Sequence, residues 1–415
     1  MRSARRVLLA LGWAALVLCG CAVAAWSMSS ARAAEAVRAE VGKPLQAAEE
    51  LIKARKYREA LARIHDADAV SNKTPYESYL LERVRGYAAA QAGDNETALK
   101  SFEAVMASGR LSAPEQLSML ASAAGLYYRA KDYPKAASTA ARYFAAGGTD
   151  PGVRTVLIQS YYLENDCPAA IRELQKQTQS VEEAGRAPPE EQLRLLLSCE
   201  LKQKDYAGFA QVLEKLVAFY PKREYWIDLI HRVERKPGFS DRLTLDVYRL
   251  KIATGSMGAA SDYMEMAQLA LQAGLSTEAK KVLDRGFAAG VLGKGPEAER
   301  EQRLRELAAN SVAEDAKTIA KSEADASAAP DGTALVDVGF AYVDMGQLDK
   351  GIALIERGLR QKGFKHPEEA KLHAGIAYFL AGEKAKAAQI WRSVQGNTGE
   401  ADLARLWLIQ VRGSA

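Results

Sequence analysis

The chain has 415 residues, more than a single globular core usually spans. Apolar residues make up 48% and Ala dominates, whereas aromatics make up only 7% and prolines number 13. This balance suits closely packed helices and argues against a sheet protein, since no alternating run of Val, Ile and Thr is long enough for a strand. The formal net charge is +4, from 56 basic against 52 acidic side chains, but Arg2, Arg5, Arg6 and Arg32 all precede the first acidic residue, Glu35. The remainder is neutral, which argues against a nucleic-acid partner, since that would need Lys and Arg clustered on one face.

The first stretch reads as an export signal. Arg2, Arg5 and Arg6 form a positive start, residues 7–18 are an apolar run of signal-peptide length, and Ala31-Arg32-Ala33 is a small-x-small cleavage site. Cleavage there predicts a periplasmic protein beginning near Ala34. Two alternatives stay open. Leu18-Cys19-Gly20-Cys21 resembles a bacterial lipobox, which would place a lipid on Cys21. Residues 7–26 also have about the ~20 residues that cross a bilayer, so they could remain as an anchor and the only membrane contact.

Helix pairs then follow one another. Residues 44–69 give AAEELIKARKY and REALARIHDADA, with Tyr57 in the turn and Ala60 and Ile64 facing inward. Residues 79–112 repeat the arrangement: Gly86 is the small residue of the first helix, Gly93, Asp94 and Asn95 break the period, and Ala98 and Phe102 lie one turn apart on the second. Ala98 follows Ala60 by 38 residues, and Ala136 follows Ala98 by 38, with Tyr127 and Tyr133 before it and Gly147-Gly148 closing the unit. Tyr161 and Ala170 mark a fourth pair. In the fifth, Phe209 replaces the alanine and predicts a local irregularity, while Tyr206 and Pro221 keep their places.

Residues 224–255 are helical by period but turn through KPGFS, and the pattern returns at Gly274, Ala279 and Leu283. Residues 296–329 lack turn glycine and aromatics. Gly351 lies 72 residues after Ala279, two steps of 36, which predicts a helix pair in the gap. Two regular pairs end the chain, one with Gly339, Tyr342, Gly346 and Ile355, the other with Gly375, Tyr378, Gly382, Ala387 and Trp391. A last helix over 400–411 is predicted to cap the exposed end.

This pattern of a small residue in helix A, then Ala and an aromatic four residues later in helix B, resembles the tetratricopeptide repeat. The resemblance implies an all-α, right-handed α-solenoid of stacked antiparallel helix pairs. It divides the chain into a leader (1–33), an N-terminal array (34–222), degenerate repeats (223–335) and C-terminal pairs with a capping helix (336–415). In that family helix A lines a concave surface where peptides lie. Carried over by position, the surface comprises Arg83, Tyr87, Tyr128, Arg129, Gln159, Tyr162 and Arg194, and the implied partner is a protein or peptide. The family's chaperone-tail clamp of Lys and Asn is absent, so binding of carboxylate-terminal peptides is not implied.

Without the leader only Cys167 and Cys199 remain, and in an exported chain a disulfide between them is expected, two buried thiols being the alternative. His366 and His373 lack a third ligand, so no metal site is expected. The glycine-rich residues 286–295 fail as a phosphate loop: Ala288 stands at the first-glycine position and Gly295 where Ser or Thr is needed. No GxSxG, HExxH or carboxylate pair stands out, so neither enzyme activity nor a cofactor is expected. The sequence reads as an exported scaffold or adaptor, with a membrane-anchored component of a cell-wall or secretion assembly as the alternative.

Overall fold

The computed structural model describes residues 36–361 and 363–413; the leader, its cleavage site and Cys21 lie outside the described residues. Among those residues the regular structure is entirely helical and falls into two compact units that divide between Ala130 and Lys131. No helix among them is long and apolar enough to cross a membrane. The first unit holds α1 (Ala39–Lys53), α2 (Tyr57–Asp68), α3 (Pro75–Ala92), α4 (Asn95–Ala107) and α5 (Ala113–Arg129). The second begins with α6 (Tyr133–Ala145), α7 (Pro151–Leu163), α8 (Cys167–Glu183), α9 (Glu190–Gln203), α10 (Tyr206–Phe219) and α11 (Arg223–Glu234). It continues with α12 (Thr244–Ala253), α13 (Ala260–Gln272), α14 (Ser276–Ala288), α15 (Ala298–Ala328), α16 (Thr333–Asp344) and α17 (Leu348–Leu359). It ends with α18 (Pro367–Leu380), α19 (Lys384–Trp391) and α20 (Glu400–Gly413).

Each regular hairpin reverses in the same way. One residue takes a left-handed φ between 59° and 83°, at Arg55, Gly93, Asn165, Lys204, Gly274, Gly346 and Gly382, and the next residue opens the following helix. Where that next residue is aspartate, its carboxylate accepts from the new helix's free N–H groups: Asp94 from Thr97, Asp166 from Ala169, Asp205 from Ala207 and Gly208. The second helix is thereby started at a fixed phase to the first.

That phase puts small residues at the crossings, as the pattern predicts. A Cβ on Gly86 would stand 2.7 Å from the Phe102 ring, and one on Gly375 would overlap the indole of Trp391. Between α16 and α17 glycine faces glycine: a Cβ on Gly339 would lie 2.7 Å from the Gly351 carbonyl oxygen. Ala60, Ala98, Ala136, Ala170, Ala279 and Ala387 are all fully buried. Phe209 is buried as well, with the Arg232 guanidinium of α11 3.9 Å from its ring centroid.

Three expectations need correction. The first helix begins at Ala39 rather than after Pro44, because Val41, Leu45 and Ala48 already share its buried face and Pro44 is carried inside it. The pair expected between Pro296 and Ala329 is one helix, α15, of 31 residues. It contains no Gly or Pro, so no helix breaker interrupts it over its roughly 46 Å. Finally, α20 does more than cover the last pair. Trp407 stacks on Trp391 at 5.2 Å and meets Phe379 at 5.1 Å, but α20 also packs against α10 and α12.

The C-terminal pairs therefore close back on the middle of the second unit. Ser240 N–H donates to the Thr398 carbonyl (2.8 Å), Gln410 Nε2 to the Ala253 carbonyl (2.9 Å), Lys236 pairs with Asp402 (2.8 Å) and Arg405 with Glu214 (3.0 Å). One hydrophobic core runs from Ile158 to Trp407. It crosses residues 222 and 335, where the sequence pattern weakens. The first unit has its own smaller core around Val41, Ile64, Ala67 and Leu81.

Candidate partner-binding face and a buried ionic network

The seven residues carried over from the family pattern fall four on the first unit and three on the second. In the first, Arg83 and Tyr87 lie one turn apart on α3, and Tyr128 and Arg129 end α5. Arg83 is not free to reach out: Nη1 donates to the Tyr79 hydroxyl (3.0 Å) and Nη2 to Glu115 (2.9 Å), which ties helix A of one pair to helix A of the next. Tyr87 is 41% exposed, Arg129 is exposed and Tyr128 half-buried. A second tie in this unit joins the residue before α1 to α3. Arg38 donates to the fully buried Glu77 through Nε (3.0 Å) and Nη2 (2.8 Å), and these bonds, with one from the Thr74 N–H, hold that carboxyl down to about 2.

In the second unit Gln159 and Tyr162 sit on α7 and Arg194 on α9. The Tyr162 hydroxyl hydrogen-bonds Ser198 Oγ (3.1 Å), and the Lys202 ammonium stands 4.3 Å from its ring centroid. Residues 190, 194, 198 and 202 of α9 follow one another at four-residue spacing, one stripe of the helix. At one end Ser198 and Lys202 reach α7. At the other, Glu190 accepts from Nζ of Lys222, just before α11 (2.6 Å), and from the hydroxyl of Tyr225 on α11 (2.5 Å), and these donors keep its carboxyl below the usual range. Between the two ends Arg194 is exposed, with no hydrogen bond or ion pair among the described residues. Ser198, Lys202, Glu190 and Tyr225 were not singled out from sequence, although the four-residue spacing along α9 was there to be read.

Cys167, at the start of α8, and Cys199, on α9, are both fully buried and adjacent, packed with Ala170, Tyr161, Tyr162 and Ile171. The expected disulfide is not formed here; both are thiols. Burial, reinforced by the hydrogen bond with Cys167, pushes the Cys199 thiol up to about 12, which leaves almost no thiolate. Among the described residues no three His, Cys, Asp or Glu side chains are placed to hold a metal ion. His366 Nδ1 lies 3.2 Å from Arg242 and His373 lies 3.0 Å from Asp246, so the two histidines have separate partners.

His373 belongs to a network that sequence reading missed. Asp246, 1% exposed on α12, accepts from Arg249 Nη1 (2.7 Å) through one oxygen and lies 3.0 Å from His373 Nε2 of α18 through the other. Arg249 continues to Glu278 of α14 with two parallel bonds of 2.8 and 2.7 Å, and stacks over the Phe340 ring of α16 at 4.5 Å. Asp344, the last residue of α16, accepts from the Glu278 backbone N–H (2.6 Å). It supplies from another hairpin the N-terminal cap that Leu275, preceding α14, lacks. Lys281 Nζ donates to its carbonyl (2.5 Å) and carboxylate (3.2 Å), yet burial still pushes the Asp344 carboxyl up to about 6. The signal was an opposite-charge pair three residues apart between apolar residues, Asp246 and Arg249 in TLDVYRLKIA.

No protein-family model matches the chain and no curated protein does. Among solved structures it is similar to a tetratricopeptide repeat protein from Parabacteroides merdae, at 13% identity, covering 80% of this chain and 99% of that one with a TM-score of 0.28. It is also similar to the tetratricopeptide domain of P58(IPK), at 15% identity, covering 90% and 97% with a TM-score of 0.22. A third likeness is to yeast Tom70, at 10% identity, covering 88% and 94% with a TM-score of 0.24. With small residues at the crossings, one left-handed residue in each regular turn, and Phe102 and Trp391 buried four residues after Ala98 and Ala387 in their second helices, the hairpins of the described residues are tetratricopeptide-like helix pairs.

Proposed function

We propose that the chain is an exported adaptor that binds a protein or peptide along the helix-A faces of its pairs. The observation that supports this most directly is the α9 stripe, where an exposed, unpaired Arg194 stands between side chains already fixed by neighbouring helices. Arginine and tyrosine are recurrent anchor types in protein recognition, and here they stand on helices already held by their neighbours. Tyr87 and Arg129 offer the same residue types on α3 and α5, and Gln159 adds an amide on α7. In-cell crosslinking of wild type and of a Tyr87→Ala/Tyr128→Ala/Tyr162→Ala variant is the test. The variant is expected to lose most of the captured partner while keeping its helical circular dichroism; equal capture by a folded variant would reject the face.

A second reading keeps the leader as a lipid anchor, on the strength of Leu18-Cys19-Gly20-Cys21. Metabolic acyl labelling that Cys21→Ser abolishes would establish it, and an unlabelled wild type would reject it. Export also bears on the cysteines. In an oxidising compartment the adjacent Cys167 and Cys199 are expected to close into a disulfide whose loop contributes about 3–4 kcal/mol in the chain-entropy model. Peptide mapping of envelope-purified protein without reductant should find the linked pair; both thiols alkylatable after unfolding would argue against the disulfide and against an oxidising location.

A further inference from the structure

The strongest feature outside the helix-A faces is the ionic network at the seam where α16–α20 meet α12 and α14. Apart from the Asp246–Arg249 pair within α12 its links are tertiary: Asp246 and His373 are 127 residues apart, Glu278 and Asp344 66. Separating the C-terminal pairs from α12 and α14 would break the His373–Asp246 contact, the cap from Asp344 to Glu278 and the stacking of Arg249 on Phe340 together. We propose that this seam is a proton-linked clasp, closed when His373 is a cation against Asp246 and loosened as that proton leaves.

The charges around the seam set the direction. Among the described residues His373 faces Asp246 and Arg249 of α12, Asp337 of α16 and, one turn away on its own helix, Glu369, which Arg242 also holds (3.1 Å). Asp344 faces Glu278 and Lys281 of α14. Acidic groups outnumber the fixed cations Arg249, Arg242 and Lys281, so a proton on His373 reduces the excess of buried negative charge. Burial alone would push the imidazole down, but the Asp246 carboxylate outweighs it and holds His373 above its ordinary value. Stability from this contact is thus complete below the unfolded histidine value, roughly 6.5, and is lost as pH rises through the raised one. Asp344 works in the same sense: with its carboxyl pushed up to about 6, the closed seam takes up a proton more readily than the open chain, so closure strengthens as pH falls through that value. Asp337, raised by burial, adds to the same trend. Asp246 is lowered and opposes closure only in stronger acid.

Hydrogen exchange of the full chain between pH 5 and 8.5, corrected for intrinsic base catalysis, tests the clasp. Protection of α12 and α18 is expected to fall with rising pH, by up to about tenfold per unit between roughly 6.5 and the raised histidine value, where opening releases one linked proton, and to level off above it. Protection of α8 and α9 should stay flat. His373→Gln should remove the dependence above pH 6.5, and Asp344→Asn should flatten it between pH 5 and 6.5. A wild type without the slope, or a His373→Gln variant that retains it, overturns the clasp. Should that variant not fold, the His373 ring titration in wild type by NMR decides: a midpoint above 6.5 supports the clasp and one at or below 6.5 overturns it.

Discussion

Arg249→Met is expected to lower the stability of the second unit by about 3–5 kcal/mol, the usual cost of stranding a buried charge whose partner is removed. The Arg249 side chain is 6% exposed, and it holds two carboxylates, Asp246 at 1% and Glu278 at 14%. Without it, Asp246 keeps only His373 and Glu278 loses its two-bond partner. The surface pair Lys53–Glu50, at 68% and 72% exposure, is a useful contrast, because its removal should cost under about 1 kcal/mol. Neutralising all three members, as Asp246→Asn/Arg249→Met/Glu278→Gln, should recover much of the loss, since the penalty lies in the unpaired charges. Urea denaturation followed by tryptophan fluorescence reads the effect: Trp226, Trp391 and Trp407, all buried, lie in the second unit. A single-variant loss no larger than that of the surface pair would show that the network does not support the seam.

The second large effect is expected at the crossing of α16 and α17. A Cβ at Gly339 would lie 2.7 Å from the Gly351 carbonyl oxygen and 2.9 Å from the Ile355 nitrogen; one at Gly351 would lie 2.5 Å from the Gly339 oxygen. These are backbone atoms held by two helices, so no side chain can move aside and the hairpin itself must open. Gly339→Val should therefore cost at or above the upper end of ordinary overpacking, about 3 kcal/mol. Gly125, inside α5, is the control: its Cβ would meet only the Arg129 guanidinium, at 3.7 Å. Gly125→Ala should be neutral or stabilise by up to about 1 kcal/mol, because it restricts the unfolded chain without meeting an obstacle. Thermal unfolding of the two variants side by side distinguishes close helix approach from a general intolerance of glycine replacement.

What the sequence alone determined was local. The period of the apolar residues, the residue that turns left-handed between helices and the small side chains at crossings each act within one hairpin of 34 to 38 residues. Gly86 with Phe102, Gly375 with Trp391 and Asp94 at the head of α4 could therefore be placed from spacing. The same locality misled over α15, where two multiples of the repeat fitted a single helix that had nothing to interrupt it. The adjacency of Cys167 and Cys199 also followed from stacking order, whereas whether they join depends on the oxidising power around the chain. Tertiary structure alone decided where the last pairs go. Periodicity shows which face of a helix is buried but not what covers it, so the return of α20 to α10 and α12 left no mark in the sequence. Asp246 and Arg249 on α12, Glu278 on α14, Asp344 on α16 and His373 on α18 lie on helices far apart in the chain, and spacing shows no link between them. Only closure of the C-terminal pairs removes them from water and makes each one's charge depend on the others.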